Sequence, residues 1–527
     1  MKMKHVFYLI CKLIIVANYL NGQTIIPEPL EQKNGDNIFY YPKILKCSFT
    51  NELLEEFKML KNLLKTDHNI LLKKGNSTEL NVMLILNERD SIKFGAEGYE
   101  INISKNNVQI NSSTKAGIFY GIQSFNQLIF NVELDKFSVR QTYIFDKPRF
   151  SWRSYLLDDA RYFQGTKTVK KLIDELSRLK INTFHWHLTD DHGWRIPIKK
   201  YPKLVEIGSK RDSTEIGGYW HSNIFDGKPH AGHYSIKEIK EILQYASERH
   251  IKIIPEIEMP GHATAAIASY PWLGTSGKNV KVSTSFGVKF DTFDISNPKV
   301  IQFLEDVLTE IIKIFNSPVI HIGGDEVRYD QWLASENVLK FMQEHQIKSA
   351  ADLQIDFVNK ISNFLNKKNV RMMGWNDILG SKIHDYNDSK QIANSKLAPN
   401  TIIQFWKGDP KLMVEAINNG YEIVNSYHEY TYLDYDYKTI SLEKAYSFEP
   451  IPEGLNKELE KKIIGIGTQM WGAWTPNSKE IYLQTFPRIA AYAEIGWSSK
   501  ENKNLLKFLQ KLEKQKIYWK TRNIQFH

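Results

Sequence analysis

From Phe150 onward the chain alternates short apolar segments with amphipathic helices, and no other feature narrows the possible folds as far. Residues 155–157, 183–187, 253–256, 319–322, 371–374, 402–405, 422–425 and 464–467 read as eight strands. Between them, a helix over 168–179 puts Val169, Leu172, Ile173, Leu176 and Leu179 on one face. Ser235-Ile-Lys-Glu238 is a capping box, and Asn297-Pro298 is an N-cap followed by proline at the first helical position. Eight strand–helix units predict an α/β fold, a (β/α)8 TIM barrel. Each strand ends on a loaded stretch: Asp158-Asp159-Ala-Arg161, Asp190-Asp191-His192, Glu258-Met-Pro-Gly-His262, Asp325-Glu326, Trp375-Asn-Asp377, Trp406, Tyr432-Leu-Asp434 and Trp471. Strand C-terminal ends converge on one face of such a barrel, so these eight stretches are expected to share a site.

Residues 24–147 read as a small α/β accessory domain. Strands are expected at 82–86, 99–103 and 108–111, then a helix over 113–130, and Asp146-Lys-Pro148 makes a boundary before the barrel of 148–527. Residues 1–23 run from basic Lys2 and Lys4 through the apolar stretch 6–20 to small Gly22, the order of a secretory signal peptide. The expectation is a secreted, periplasmic or cell-surface protein. Losing Lys2, Lys4 and Lys12 with that segment lowers the net charge from +9 to +6, and no dense Lys/Arg cluster suggests nucleic acid as a partner. No internal stretch reaches the roughly 18 apolar residues of a membrane span. Cys47 would be the one cysteine left, so no intramolecular disulfide is expected. Sequons at Asn76, Asn102, Asn111 and Asn387 matter only in a eukaryotic host.

His185-Trp-His-Leu-Thr-Asp-Asp191, Pro255-Glu-Ile-Glu-Met-Pro-Gly-His262 and His321-Ile-Gly-Gly-Asp-Glu-Val327 stand in one order. By these motifs the chain from Phe150 to about Ser499 resembles glycoside hydrolase family 20, the β-N-acetylhexosaminidases. Glu97-Gly98-Tyr99 and Gly117-Ile-Phe-Tyr-Gly-Ile122 resemble that family's accessory domain. The resemblance implies exo-hydrolysis of terminal β-linked GlcNAc or GalNAc, with net retention and without a metal or organic cofactor. The 2-acetamido oxygen attacks its own anomeric carbon to form an oxazolinium ion, an exception to the usual pair of side-chain carboxylates.

On that resemblance Glu326 is the general acid and then base, Asp325 holds the acetamido N–H, and Tyr432 donates to the acetamido oxygen. Trp375, Trp406 and Trp471 form a box for the acetyl methyl. Arg153 and Asp434 hold sugar hydroxyls, and Asp191 and His262 lie beside the acid. Neighbours on a regular strand face opposite ways, so Asp325 and Glu326 share a pocket only if Gly323-Gly324 ends the strand first. Trp152, Trp186 and Trp194 are expected in the packing, and Asp158 and Arg161 as a structural ion pair. His185 and His187 with Asp190 and Asp191 lack a third ligand at metal-site spacing.

Two positions depart from the family, and at the first His192 follows Asp190-Asp191 where Asp-Asp-Gln is frequent. Where Trp-x-Glu is common, Met470-Trp-Gly-Ala-Trp474 puts Ala473 in place of a carboxylate that contacts the far end of the terminal sugar. A lost buried charge-assisted hydrogen bond costs about 1.5–3 kcal/mol. The alternatives this leaves are an enzyme for sugars substituted at O4 or O6 (sulfated ones among them), a disaccharide-releasing lacto-N-biosidase-like enzyme, and a catalytically weakened sugar-binding protein. 

Overall fold

The computed structural model describes residues 24–75, 81–129, 135–386 and 388–527. The expected signal peptide, residue 130 of the expected helix, and two sequon positions, 76 and 387, lie outside them. Among the described residues no helix is long and apolar enough to cross a membrane.

A mixed sheet forms the amino-terminal domain: β1 (Glu31–Pro42), β2 (Ile44–Ser48), β3 (Leu71–Lys74), β4 (Val82–Leu86), β5 (Tyr99–Ile103), β6 (Val108–Ser112) and β7 (Lys136–Asp146), in the order β1-β7-β5-β6-β4-β2-β3. Alternation along β5 and β6 buries Tyr99, Ile101, Ile103, Val108 and Ile110, and the helix Lys115–Leu128, capped by Thr114, packs there. Cys47 is buried and free.

Eight parallel strands then close a barrel: β8 (Trp152–Asp158), β9 (Thr183–His187), β10 (Lys252–Glu256), β11 (Val319–His321), β12 (Arg371–Trp375), β13 (Ile402–Phe405), β14 (Glu422–Asn425) and β15 (Ile463–Met470). β15 pairs with β8 from Gly465↔Trp152 to Met470↔Leu157, which shuts the ring. The Ser235–Glu238 capping box and the Asn297 cap both form. Helix 165–178 turns Val169, Leu172, Ile173 and Leu176 inward.

A buried ionic layer joins the two domains beneath the barrel. Arg153, the second residue of β8, donates from both terminal nitrogens to Glu97 at 2.9 Å and to the carbonyls of Lys180 and Phe150. This corrects its expected role. Arg153 is fully buried at the amino-terminal end of its strand, the end opposite the site, and does not reach a sugar there. Asp146 accepts from Lys180 Nζ, Tyr99 Oη and Trp497 Nε1, and Trp497 inserts into the amino-terminal core.

Candidate active site

β11 ends at His321, and the chain then leaves extended geometry. Gly323, Gly324 and Glu326 have φ of 67°, 84° and 52°, the left-handed region where glycine is unstrained and glutamate is not. A Cβ on Gly323 would stand 1.8 Å from Glu258 Oε2, and one on Gly324 2.4 Å from Ile378 Cγ2, so both positions require glycine. His321 Nδ1 lies 3.0 Å from the Gly323 N and 2.9 Å from Glu256 Oε1, and burial pushes this imidazole down to about 4. The Glu326 N–H is fixed in turn by Asp377 Oδ1 at 3.0 Å. Asp325 and Glu326 therefore present both carboxylates to one imidazole: His262 Nε2 is 3.6 Å from Asp325 Oδ2 and 3.5 Å from Glu326 Oε2.

His262 is held from behind. Its Nδ1 lies 2.9 Å from Asp191 Oδ2, while Asp191 Oδ1 accepts the backbone N–H and hydroxyl of Thr264. Burial opposes charge on His262, but Asp190 and the Asp191 hydrogen bond outweigh it and keep its pKa well above the usual value. Burial raises Asp325 from 3.8 to about 7, against the attraction of His262, and its Oδ1 is buried without a donor. An acceptor with nothing to accept is poised for a ligand N–H.

Four rings adjoin these carboxylates. Trp375 and Trp471 lie 5.7 Å apart between centroids, Trp471 stacks on Tyr432 at 6.1 Å, and Tyr432 meets Trp406 edge-on at 5.9 Å. Trp375 Nε1 donates to Glu256 and Trp406 Nε1 to Asp377, so hydrogen bonds as well as packing fix the walls. Asp434 is half-buried beyond Tyr432, with one oxygen lacking a donor, and burial raises it to about 7.

The structure thus gathers Asp325, Glu326, Tyr432, Asp191, His262, Trp375, Trp406, Trp471 and Asp434 at one end of the barrel, without Arg153. Three residues outside the expected site join them, among them Arg161, whose expected ion pair with Asp158 forms. Arg161, from the loop after β8, pairs with Asp190 at 2.8 Å and Asp158 at 3.3 Å and lies 5.1 Å over Trp471. Asp377 ties Glu326 to Trp406 and to His384. Glu256 receives Trp375 and lies within 3.1 Å of His185, His187 and His321. Arg161 and Asp377 stood in the loaded strand ends, so the signal for them was there. His185, Glu256 and His321 also bring ligand-type atoms within 4.8 Å of one another, a spacing that could hold a metal, although Glu256 already takes its neighbours' N–H groups.

Two family models match: glycosyl hydrolase family 20, catalytic domain, over residues 150–500, and domain 2 of the same family over 22–146. A β-hexosaminidase of Porphyromonas gingivalis is 31% identical across 98% of this chain, and the chain spans 66% of that relative's length. A family 20 exo-β-N-acetylglucosaminidase of Vibrio harveyi, solved with N-acetylglucosamine, superposes with a TM-score of 0.83 at 26% identity, covering 96% of this chain and 78% of that one. A β-N-acetylhexosaminidase of Bacteroides fragilis gives 0.79 at 27% identity, covering 96% and 97%.

Proposed function

This chain belongs to glycosyl hydrolase family 20, the β-N-acetylhexosaminidases, and on that premise we propose that it removes β-linked N-acetylhexosamine from the non-reducing end of glycans by substrate-assisted catalysis. The observation that carries the reading is a carboxylate with a donor-less oxygen, Asp325, beside a half-buried one, Glu326, against an aromatic box. Glu326 protonates the leaving oxygen. The acetamido oxygen, held by the Tyr432 hydroxyl, attacks the anomeric carbon, and its N–H donates to Asp325, whose negative charge offsets the charge developing on the oxazolinium. Water, deprotonated by Glu326, then opens that ion with retention. An intramolecular nucleophile has a large proximity advantage, so the rings' main task is to keep the acetamide in its attacking pose. His262 and Asp191 steady both carboxylates, while Arg161 and Asp434 offer a donor and an acceptor to the sugar hydroxyls.

The order of residues 1–23 supports export, and the substrate would then be an extracellular or periplasmic glycan. The test removes the acetamide: 4-nitrophenyl β-N-acetylglucosaminide should be cleaved at least a thousandfold faster than the β-glucoside. Equal rates on the two would exclude the acetamide from the mechanism.

A further inference from the structure

Ala473 does not border an empty hole. Tyr162, Phe286 and Trp474 close around it and leave it 7% exposed, so an aromatic wall stands where a carboxylate was expected. Phe286 meets Trp474 edge-on at 4.9 Å, and Trp220 extends the wall outward, 5.6 Å from Trp474 and 55% exposed. The wall is continuous with the site. Gly472 N–H donates to Asp158, the partner of Arg161, and Phe286 lies 4.9 Å from His192, which contacts Asp190. Its rings come from the loops after β8, β9, β10 and β15, whereas Glu326 follows β11 and is pinned to Asp377 after β12. The leaving group departs on Glu326's side, so the wall borders the other end of the sugar. C4 lies across a pyranose ring from C1, which makes O4 the position that points at it. Of the cations beside the wall, Arg161 pairs with two carboxylates, Lys289 Nζ donates to Ser285 Oγ and the Phe286 carbonyl, and Arg211 is buried behind the Tyr162 ring. Apolar ring faces that, among the described residues, meet no exposed unengaged cation suit the C–H face of a hexose better than a sulfate.

We infer that Trp220 and Trp474 form a subsite for a hexose carried on O4 of the N-acetylhexosamine, so that the enzyme releases a disaccharide. The inference rests on the family 20 chemistry proposed above and extends its substrate. One water is consumed, the C1–O bond to the leaving group breaks, its oxygen takes a proton from Glu326, and the O4 linkage stays intact.

The test compares 4-nitrophenyl β-N-acetyllactosaminide, whose O4 carries galactose, with the uncapped N-acetylglucosaminide. The wild type should release nitrophenol and intact disaccharide from the capped substrate, with kcat/KM within tenfold of the uncapped one. Trp220→Ala with Trp474→Ala should lower the capped-to-uncapped ratio about tenfold, on the scale of a lost stacking face. Cleavage of the uncapped sugar with the capped one a thousandfold slower overturns the subsite and leaves the proposed chemistry standing. A ratio unmoved by the two substitutions also overturns it, as does activity confined to the 6-sulfated N-acetylglucosaminide. Failure on all three substrates removes the underlying reading as well.

Discussion

At the amino-terminal end of the barrel Arg153, Glu97, Lys180 and Asp146 are saturated: each charged group meets an opposite charge or several hydrogen-bond partners. At the carboxyl-terminal end, Asp325 and Asp434 each bury an oxygen that meets no donor, and Glu258 buries two. Burial, with Asp325 and Glu256 as neighbours, raises Glu258 well above the usual carboxylate range. Both ends are walled by tryptophan and both bury charged groups, so composition does not separate them; the carboxylate oxygens left without a donor do. Paired charge holds two domains together, and carboxylate oxygens without a donor are left for a substrate to satisfy.

The largest effect expected is on activity at the second end. Glu326→Gln should lower kcat by about 10²–10⁴-fold, the worth of a positioned acid, with the melting temperature little changed. A comparable loss of stability would mean that Glu326 belongs to the paired kind. The first end should answer the other way. Glu97→Ala strands the buried Arg153 guanidinium and should cost about 3–5 kcal/mol of unfolding free energy, measured by denaturant titration, while kcat per folded molecule holds. The smallest effect is a shape. Asp325 works as an anion, and its pKa is raised from 3.8 to about 7, so kcat/KM should fall as pH drops through that region. The limb should vanish in Asp325→Asn. Because the folded protein holds this proton more tightly than the unfolded chain, stability attributable to Asp325 declines as pH rises from 3.8 towards 7, and the asparagine variant should melt higher than wild type at pH 8. An acid limb retained in the variant would assign it to another group.

Much of this contrast was legible in the residues, because a barrel strand announces itself by a short apolar run and its end by polar residues. All eight strands lie within a few residues of where hydrophobic periodicity put them, and Asp325, Glu326 and the tryptophans of the box share the mouth. Arg153 and Arg161 show where reading stops. They flank one strand, and only strand direction separates the interdomain partner from the mouth residue. Glu97, which claims Arg153, lies 56 positions away in a turn of the amino-terminal domain, a pairing that no local pattern encodes. Asp377 was visible as a charged strand end, but its grip on the Glu326 N–H depends on two left-handed glycines and a backbone turn. Ala473 was legible as a departure, while the rings around it come from four separate loops.

The central claim, that Asp325 Oδ1 waits without a donor for the acetamide N–H, is tested most directly by binding. Affinities of a thiazoline mimic of the oxazolinium and of N-acetylglucosamine should be measured by calorimetry for wild type and Asp325→Asn. Wild type should bind the mimic at least about a hundredfold more tightly than the sugar, and most of this preference should be lost in the variant. Equal affinities in wild type, or a preference that survives the substitution, would contradict the claim.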